Sequence, residues 1–149
     1  MIETAYWHSL KYMSIGCTYI NSSAIIHLMN MIQLELPYPP SVNHYWGQKG
    51  NQRFIGKKGK EFRVAVQLEC LIKGILSLPG RLSVSIDLYP PDNRKRDLDN
   101  VLKSLLDAME HAGCYENDSQ IDKLSIVRRE VIKDGKCFVT IIQQSSGEL

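Results

Sequence analysis

Apolar and polar positions alternate in two stretches of this chain and recur at helical spacing in two others. Ile32, Leu34 and Leu36 alternate with Gln33 and Glu35, the period-2 pattern of a half-buried strand. Pro37, Pro39 and Pro40 end it, because proline brings no donor to a ladder. Leu82, Val84, Ile86 and Leu88 alternate with Ser83, Ser85 and Asp87 and predict a second strand, closed by Pro90-Pro91. Between them, Ala65, Leu68, Leu71, Ile72 and Ile75 give an apolar face to a helix predicted over Glu61 to Leu78, stopped by Pro79-Gly80. A second helix is predicted from about Asp99 to Ala112, with Val101, Leu102, Leu105, Leu106 and Met109 on its apolar side. Gly113 suits the left-handed position that ends many helices.

Past the acidic turn Glu116-Asn117-Asp118, a strand is predicted over Ile121 to Val131. Asp134-Gly135 then offers a two-residue hairpin turn, and Cys137–Ile142 is expected to return antiparallel. Ser41 to Lys60 is a polar stretch punctuated by Gly47, Gly50, Gly56 and Gly59. It is expected to be a long loop, functional or mobile, against the plainer alternative of a surface connection. The order is strand, loop, helix, strand, helix, strand, strand. That predicts an α+β fold: one domain, a small mixed or antiparallel sheet, two helices packed on one face and a C-terminal β-hairpin. The domain is placed at residues 31–143, with 144–149 as a tail. Residues 1–30 carry Tyr6, Trp7, Tyr12 and Tyr19 but hold no period. They read as an upstream extension, or else as a docking arm.

Composition narrows the class. At 149 residues one core can be buried, and 44% hydrophobic with 23% charged residues argues against disorder. A net charge of +2 excludes a basic coat for nucleic acid and leaves only local clusters. One such cluster is Lys49, Arg53, Lys57, Lys58, Lys60 and Arg63 against the single acid Glu61; the other is Arg94-Lys95-Arg96. Cys17, Cys70, Cys114 and Cys137 show no C-x-x-C spacing and no His pair has ligand spacing, which argues against zinc. Scattered thiols without a secretory signal point to a reducing cytoplasm. No apolar run is long enough for a membrane span.

The chemistry concentrates in Arg94-Lys95-Arg96-Asp97-Leu98-Asp99-Asn100-Val101-Leu102-Lys103. Asp97 and Asp99 sit at i and i+2, a spacing that turns both carboxylates to one side of an extended segment. Mg²⁺ takes oxygen ligands and is commonly held by one or two carboxylates plus substrate phosphates. The plain alternative is helix capping, which explains one of the two acids but not three cations at a helix N-terminus. A bound phosphate does explain them. Asp118 is a third candidate acid if the return from the helix brings it back beside the first two; otherwise it is turn chemistry. Glu116, Asp87 and Asp122 are lesser candidates, read as surface acids. Lys103 is either the partner of Asp99 in an i,i+4 pair or a cation aimed at developing phosphate charge. Tyr45-Trp46 either stacks on bases or anchors the loop.

Three segments resemble the RusA-type Holliday junction resolvases, small endonucleases of bacteria and their prophages. They are Leu36-Pro37-Tyr38-Pro39-Pro40-Ser41-Val42-Asn43-His44-Tyr45, then Arg96-Asp97-Leu98-Asp99-Asn100 with Lys103, then Ala112-Gly113-Cys114-Tyr115-Glu116-Asn117-Asp118-Ser119-Gln120-Ile121. The resemblance spans about Met31 to Ile142. It implies a cytoplasmic homodimer, in a bacterium or phage-infected cell, that binds four-way DNA junctions and nicks two strands symmetrically with Mg²⁺, for which Mn²⁺ is a plausible substitute. It implies that Asp97, Asp99 and Asp118 are the metal-binding acids and Lys103 the catalytic lysine. Arg94, Lys95, Arg96, Asn43, Tyr45, Lys57, Lys58 and Lys60 are the candidate DNA contacts. Asn117 stands where some relatives carry a second acid. Two other functions stay open: a metal nuclease acting on flaps or forks, and a junction-binding protein that does not cut.

Overall fold

The computed structural model describes residues 30–144. The predicted extension and tail lie outside these residues, apart from Asn30 and Gln144. The elements in chain order are β1 (Met31–Pro37), α1 (Val42–Tyr45), β2 (Trp46–Lys49), β3 (Gln52–Ile55), α2 (Lys57–Ile72), β4 (Leu82–Tyr89) and α3 (Asp99–His111). A 3₁₀ turn at Asp118–Gln120, β5 (Ile121–Arg128) and β6 (Lys136–Gln143) complete them. Four strands form one mixed sheet in the order β1-β6-β4-β5. β6 is antiparallel to both its neighbours, while β4 and β5 run parallel. Ile32, Leu34 and Leu36 on β1, Val84, Ile86 and Leu88 on β4, and Cys137, Val139 and Ile141 on β6 share one face in register. α2 and α3 bury that face with Phe62, Val66, Cys70, Val101, Leu105, Ala108 and Met109. The α+β single domain with helices on one face is therefore as expected.

The C-terminal hairpin is not. β5 lies on the far side of β4 from β6, and the two strands do not pair. The turn residues behave as their chemistry demands, with φ of 67° at Asp134 and 65° at Gly135. They end a connection that passes over the end of β4, where Arg129 N–H donates to Leu88 O (2.8 Å) and Ile132 N–H to Pro90 O (3.0 Å). The last strand buries three side chains on one face, whereas β5 buries none. β6 accordingly takes an interior place and β5 an edge. Among the described residues a hairpin stands instead inside the stretch expected to be a loop, where β2 and β3 pair antiparallel about Gly50-Asn51. Gly50 has a φ of 60°, which suits the first central position of a two-residue turn.

α2 begins four residues earlier than expected and turns a different face inward. Phe62, Val66 and Cys70, at i, i+4 and i+8, are buried. Leu68, Leu71 and Ile72, assigned to the core by their hydrophobicity, are 53%, 77% and 72% exposed. α3 matches its expected span and closes on Gly113 (φ 82°). Cys114 N–H reaches Met109 O and Gly113 N–H reaches Glu110 O, the two bonds of a Schellman cap. Cys70 Sγ and Cys114 Sγ, both buried, touch at 3.5 Å and tie α2 to this cap. Among the described residues, no helix is long and apolar enough to cross a membrane.

The connection from β4 to α3 is fixed by its own charges. The Asp92 carboxylate accepts from Arg94 N–H (2.9 Å) and from both terminal nitrogens of Arg96 (2.6 and 2.8 Å). The Arg96 guanidinium lies 5.8 Å from the Tyr38 ring centre, and Arg128 donates to Arg96 O. Ser104, fully buried on α3, donates to Pro40 O at 2.5 Å and so ties the proline-rich segment to the helix.

Two expectations test this packing. Phe62→Ala should cost about 3–5 kcal/mol in chemical denaturation, while Leu76→Ala, at a position 82% exposed, should cost less than about 0.5 kcal/mol. The Arg96 hydrogen bonds and the Arg94 amide hold the Asp92 carboxyl well below the usual carboxylate range. A depressed folded-state value stabilises above the unfolded value of about 4 and loses that contribution as pH falls below it. Thermal melts of the wild type and Asp92→Asn should therefore differ at pH 7 and converge as pH is lowered from about 4. A constant gap across that range would mean that the carboxylate charge does not hold the loop.

Candidate active site

α3 starts without a side-chain cap. Its N-cap position is Leu98, in helical conformation (φ −67°, ψ −35°), whose side chain makes no capping bond. The capping explanation for Asp97 or Asp99 therefore has no bond to support it. Asp97 is exposed, with Asn100 Nδ2 at 3.4 Å from its Oδ2. Asp99 is the first residue of α3 and is also exposed. Two flanking cations are committed elsewhere: Arg96 to Asp92, and Lys103 to two other acids. Arg96 is thus a structural staple of the loop. Arg94 and Lys95 are exposed beside the acids, and Arg94 keeps only a 3.8 Å approach to Asp92.

Lys103 does not pair back to Asp99. Its Nζ lies 2.8 Å from Asp107 Oδ1, one turn forward, and 3.3 Å from Asp118 Oδ2. The hydrogen bond that Lys103 donates to Asp107 is the main cause that raises its pKa, with Asp118 adding to it against desolvation. An ammonium so held stays charged at neutral pH, which suits it to stabilise anionic charge and not to act as a base. Asp107 was missed in the sequence, although its i,i+4 spacing from Lys103 was a signal for it. Glu110 was missed as well; its carboxylate accepts the Asp118 N–H at 3.0 Å.

The turn bearing Asp118 is tightly built. Asn117 Oδ1 accepts from Ser119 N–H (3.0 Å). Gln120 Oε1 accepts from the N–H groups of Glu116 and Asn117 (2.8 and 3.0 Å), while its Nε2 donates to Leu78 O and Gly80 O (3.2 and 2.9 Å). One amide side chain thereby clips the turn to the segment that precedes β4. Tyr115 is buried beneath it and donates to Leu106 O (2.9 Å); burial pushes its phenol well above the ordinary value.

The return from α3 therefore brings Asp118 to Lys103 and not to the helix mouth. Asp99, Lys103 and Asp107 follow one another at i, i+4 and i+8, about 6 Å of helix axis per step. Among the described residues, no group of three or more His, Cys, Asp or Glu side chains lies close enough to hold a metal ion. The donors themselves are hard carboxylate oxygens of the kind that suit Mg²⁺ or Mn²⁺. Of the lesser acids, Asp87 pairs with Arg129 and Asp122 with Arg81, and Glu116 is exposed.

A cavity of about 810 Å³ opens between the proline-rich segment, the first turns of α2 and the loop before α3. Asn43, His44, Lys58, Arg94, Lys95 and Asp97 are among the residues that line it. Ser41 Oγ and His44 Nδ1 are hydrogen-bonded at 2.7 Å. Lys57, Lys58 and Lys60 are exposed in the opening turn of α2. Tyr45 is different: it is wholly buried, its hydroxyl accepts from Arg63 Nε at 2.7 Å, and it anchors the segment. Trp46 packs edge-on against Tyr45 and carries Arg53 on its face (5.4 Å).

Comparison with known proteins places this arrangement. The family model described as Endodeoxyribonuclease RusA matches residues 37–142. A protein of Enterobacteria phage HK97 named crossover junction endodeoxyribonuclease RusA is 40% identical over 119 residues, covering 79% of this chain and 99% of the relative. Proteins of the same name from Enterobacteria phage 82 and Escherichia coli K12 are 32% and 31% identical over 121 residues, each again covering 79% of this chain and 99% of the relative. The matched span contains the proline-rich segment, the acids at the mouth of α3, Lys103 and the Asp118 turn. The chain belongs to the RusA family of endodeoxyribonucleases.

Proposed function

We propose that this chain is a divalent-cation-dependent endonuclease that resolves four-way DNA junctions by paired nicks, and that it works as a homodimer. The observation that carries the reading is the strip at the start of and along α3, where Asp97 and Asp99, in no ion pair among the described residues, are followed by Lys103 with Asp107 and Asp118. Exposed Arg94 and Lys95 beside it suit a phosphate backbone. Asp97 and Asp99 are the residues that would hold the cation, Mg²⁺ or Mn²⁺, with phosphate oxygens completing its shell, while Asp118 would act through Lys103. The ion would supply an activated water and neutralise charge on the scissile phosphate. Lys103, kept protonated by its neighbours, is placed to stabilise the charge that develops on the phosphate oxygens. Cleavage of flaps or forks in place of junctions is a matter of substrate shape, which the acids do not specify.

A two-fold substrate nicked symmetrically is most simply served by a C₂ pair. The stripe formed by Val64, Leu68, Leu71 and Ile72 on α2 is exposed and apolar, and a second copy is the partner that would cover it.

The deciding assay is Mg²⁺-dependent release of paired nicks from a fixed four-way junction. Asp97→Asn, Asp99→Asn and Asp118→Asn are each expected to abolish or severely reduce cutting while junction binding persists or tightens, since a charge that repels phosphate is removed. Near wild-type cutting by any one of them would remove that residue from the site. Lys103→Ala should lower the single-turnover rate by about 10²–10³, and Lys103→Arg should rescue only in part because its charge is not a compact point. Light scattering should report a dimer for the wild type and a shift toward monomer for Leu71→Asp; a monomer that still makes paired nicks would exclude the C₂ pair.

A further inference from the structure

Resting on the endonuclease reading above, we infer that the cavity beside Asp97 receives one unpaired nucleotide of the DNA strand, and that His44 and Asn43 read its base. The volume of about 810 Å³ falls within the range of about 300–1,000 Å³ typical of small-molecule pockets. A base still paired in a duplex offers only its groove edges, whereas an extruded base offers both faces and its Watson–Crick edge. The cavity provides for both. Tyr38, Pro40, Ala65 and Pro91, all partly exposed, supply apolar and aromatic surface, and Tyr38 is braced by the Arg96 guanidinium over its ring. Asn43 and His44 supply hydrogen-bonding groups. The Ser41 hydroxyl engages His44 Nδ1, so Nε2 is the ring atom left for a ligand. Lys58, Arg94 and Lys95 line the same cavity and suit the phosphates on either side of the base.

Position and cost agree with this occupant. Asp97, Asn100 and Val101 form one wall, so a strand whose scissile phosphate lies at Asp97 places a neighbouring nucleotide at the cavity mouth. Unstacking costs least where a base is already poorly stacked, as at the branch point of a junction. The nucleotide preference at the cut would then be set in this cavity, apart from the acids that perform the cut.

The test uses fixed four-way junctions that differ only in the nucleotide next to the cut, carrying each of the four bases or an abasic residue there. Binding is measured in EDTA and cutting in Mg²⁺, for the wild type, His44→Ala and Asn43→Ala. The wild type should bind the preferred base about tenfold tighter than the abasic junction, and each variant should bring that ratio within about threefold, as loss of a base-edge contact requires. Both variants replace exposed side chains, so their folding is not at issue. Equal wild-type binding to all five junctions, or full base preference in both variants, would overturn the inference. Base-dependent binding without any nicks would instead sink the endonuclease reading and leave the base site standing. Paired nicks without base dependence would do the reverse.

Discussion

Parallel pairing of β4 with β5 obliges the chain to travel back along the sheet before the second strand can begin, and α3 is that return. Everything at the site follows from it. The helix mouth, with Asp97 and Asp99, sits where β4 ends, and the Asp118 turn sits where β5 begins beside Leu82. The same helix therefore separates the acids along its length and gathers Lys103, Asp107 and Asp118 at its flank. Val101, Leu105, Ala108 and Met109 lock its other side to the sheet, so the spacing between these groups is held by the core.

The strands that bury one face were legible because alternation reports burial directly, as at Ile32–Leu36 and Leu82–Leu88. Pairing was not legible. Asp134-Gly135 announces a reversal of the chain, and such a reversal says nothing about which strand lies across the turn once a connection crosses the sheet end. The α2 face was misassigned for a related reason. Leu68, Leu71 and Ile72 are more hydrophobic than Phe62, Val66 and Cys70 taken as a set, yet tertiary geometry chose the latter row. The β2–β3 hairpin was overlooked because Trp46-Gly47-Gln48-Lys49 and Gln52-Arg53-Phe54-Ile55 are too polar to alternate visibly, although Gly50-Asn51 is a turn signal.

At the site, residue types told more than spacing did. The acids and Lys103 stood out in the sequence, whereas the bonds that hold them show only in the fold: Glu110 accepts the Asp118 N–H, and Gln120 clips its own turn onto Leu78 and Gly80. The Arg94-Lys95-Arg96 run divides its labour, with one guanidinium spent on Asp92 to shape the loop and two cations left in solvent. A charge run read as uniform in sequence is thus part scaffold and part surface.

The position of β6 has a consequence for how the chain reaches its fold. It is the last strand to be synthesised, and it occupies the place between β1 and β4. Until Lys136–Gln143 has been made, those two strands have no common neighbour and each keeps an open edge, so the larger part of the sheet cannot close. Contacts between residues such as Ile32 and Ile141 span most of the domain, and loops of that length must close before the contacts can stabilise anything. Folding should accordingly be late, cooperative and slow beside that of a helical domain of equal size, and fragments that stop short of β6 would expose strand edges open to association.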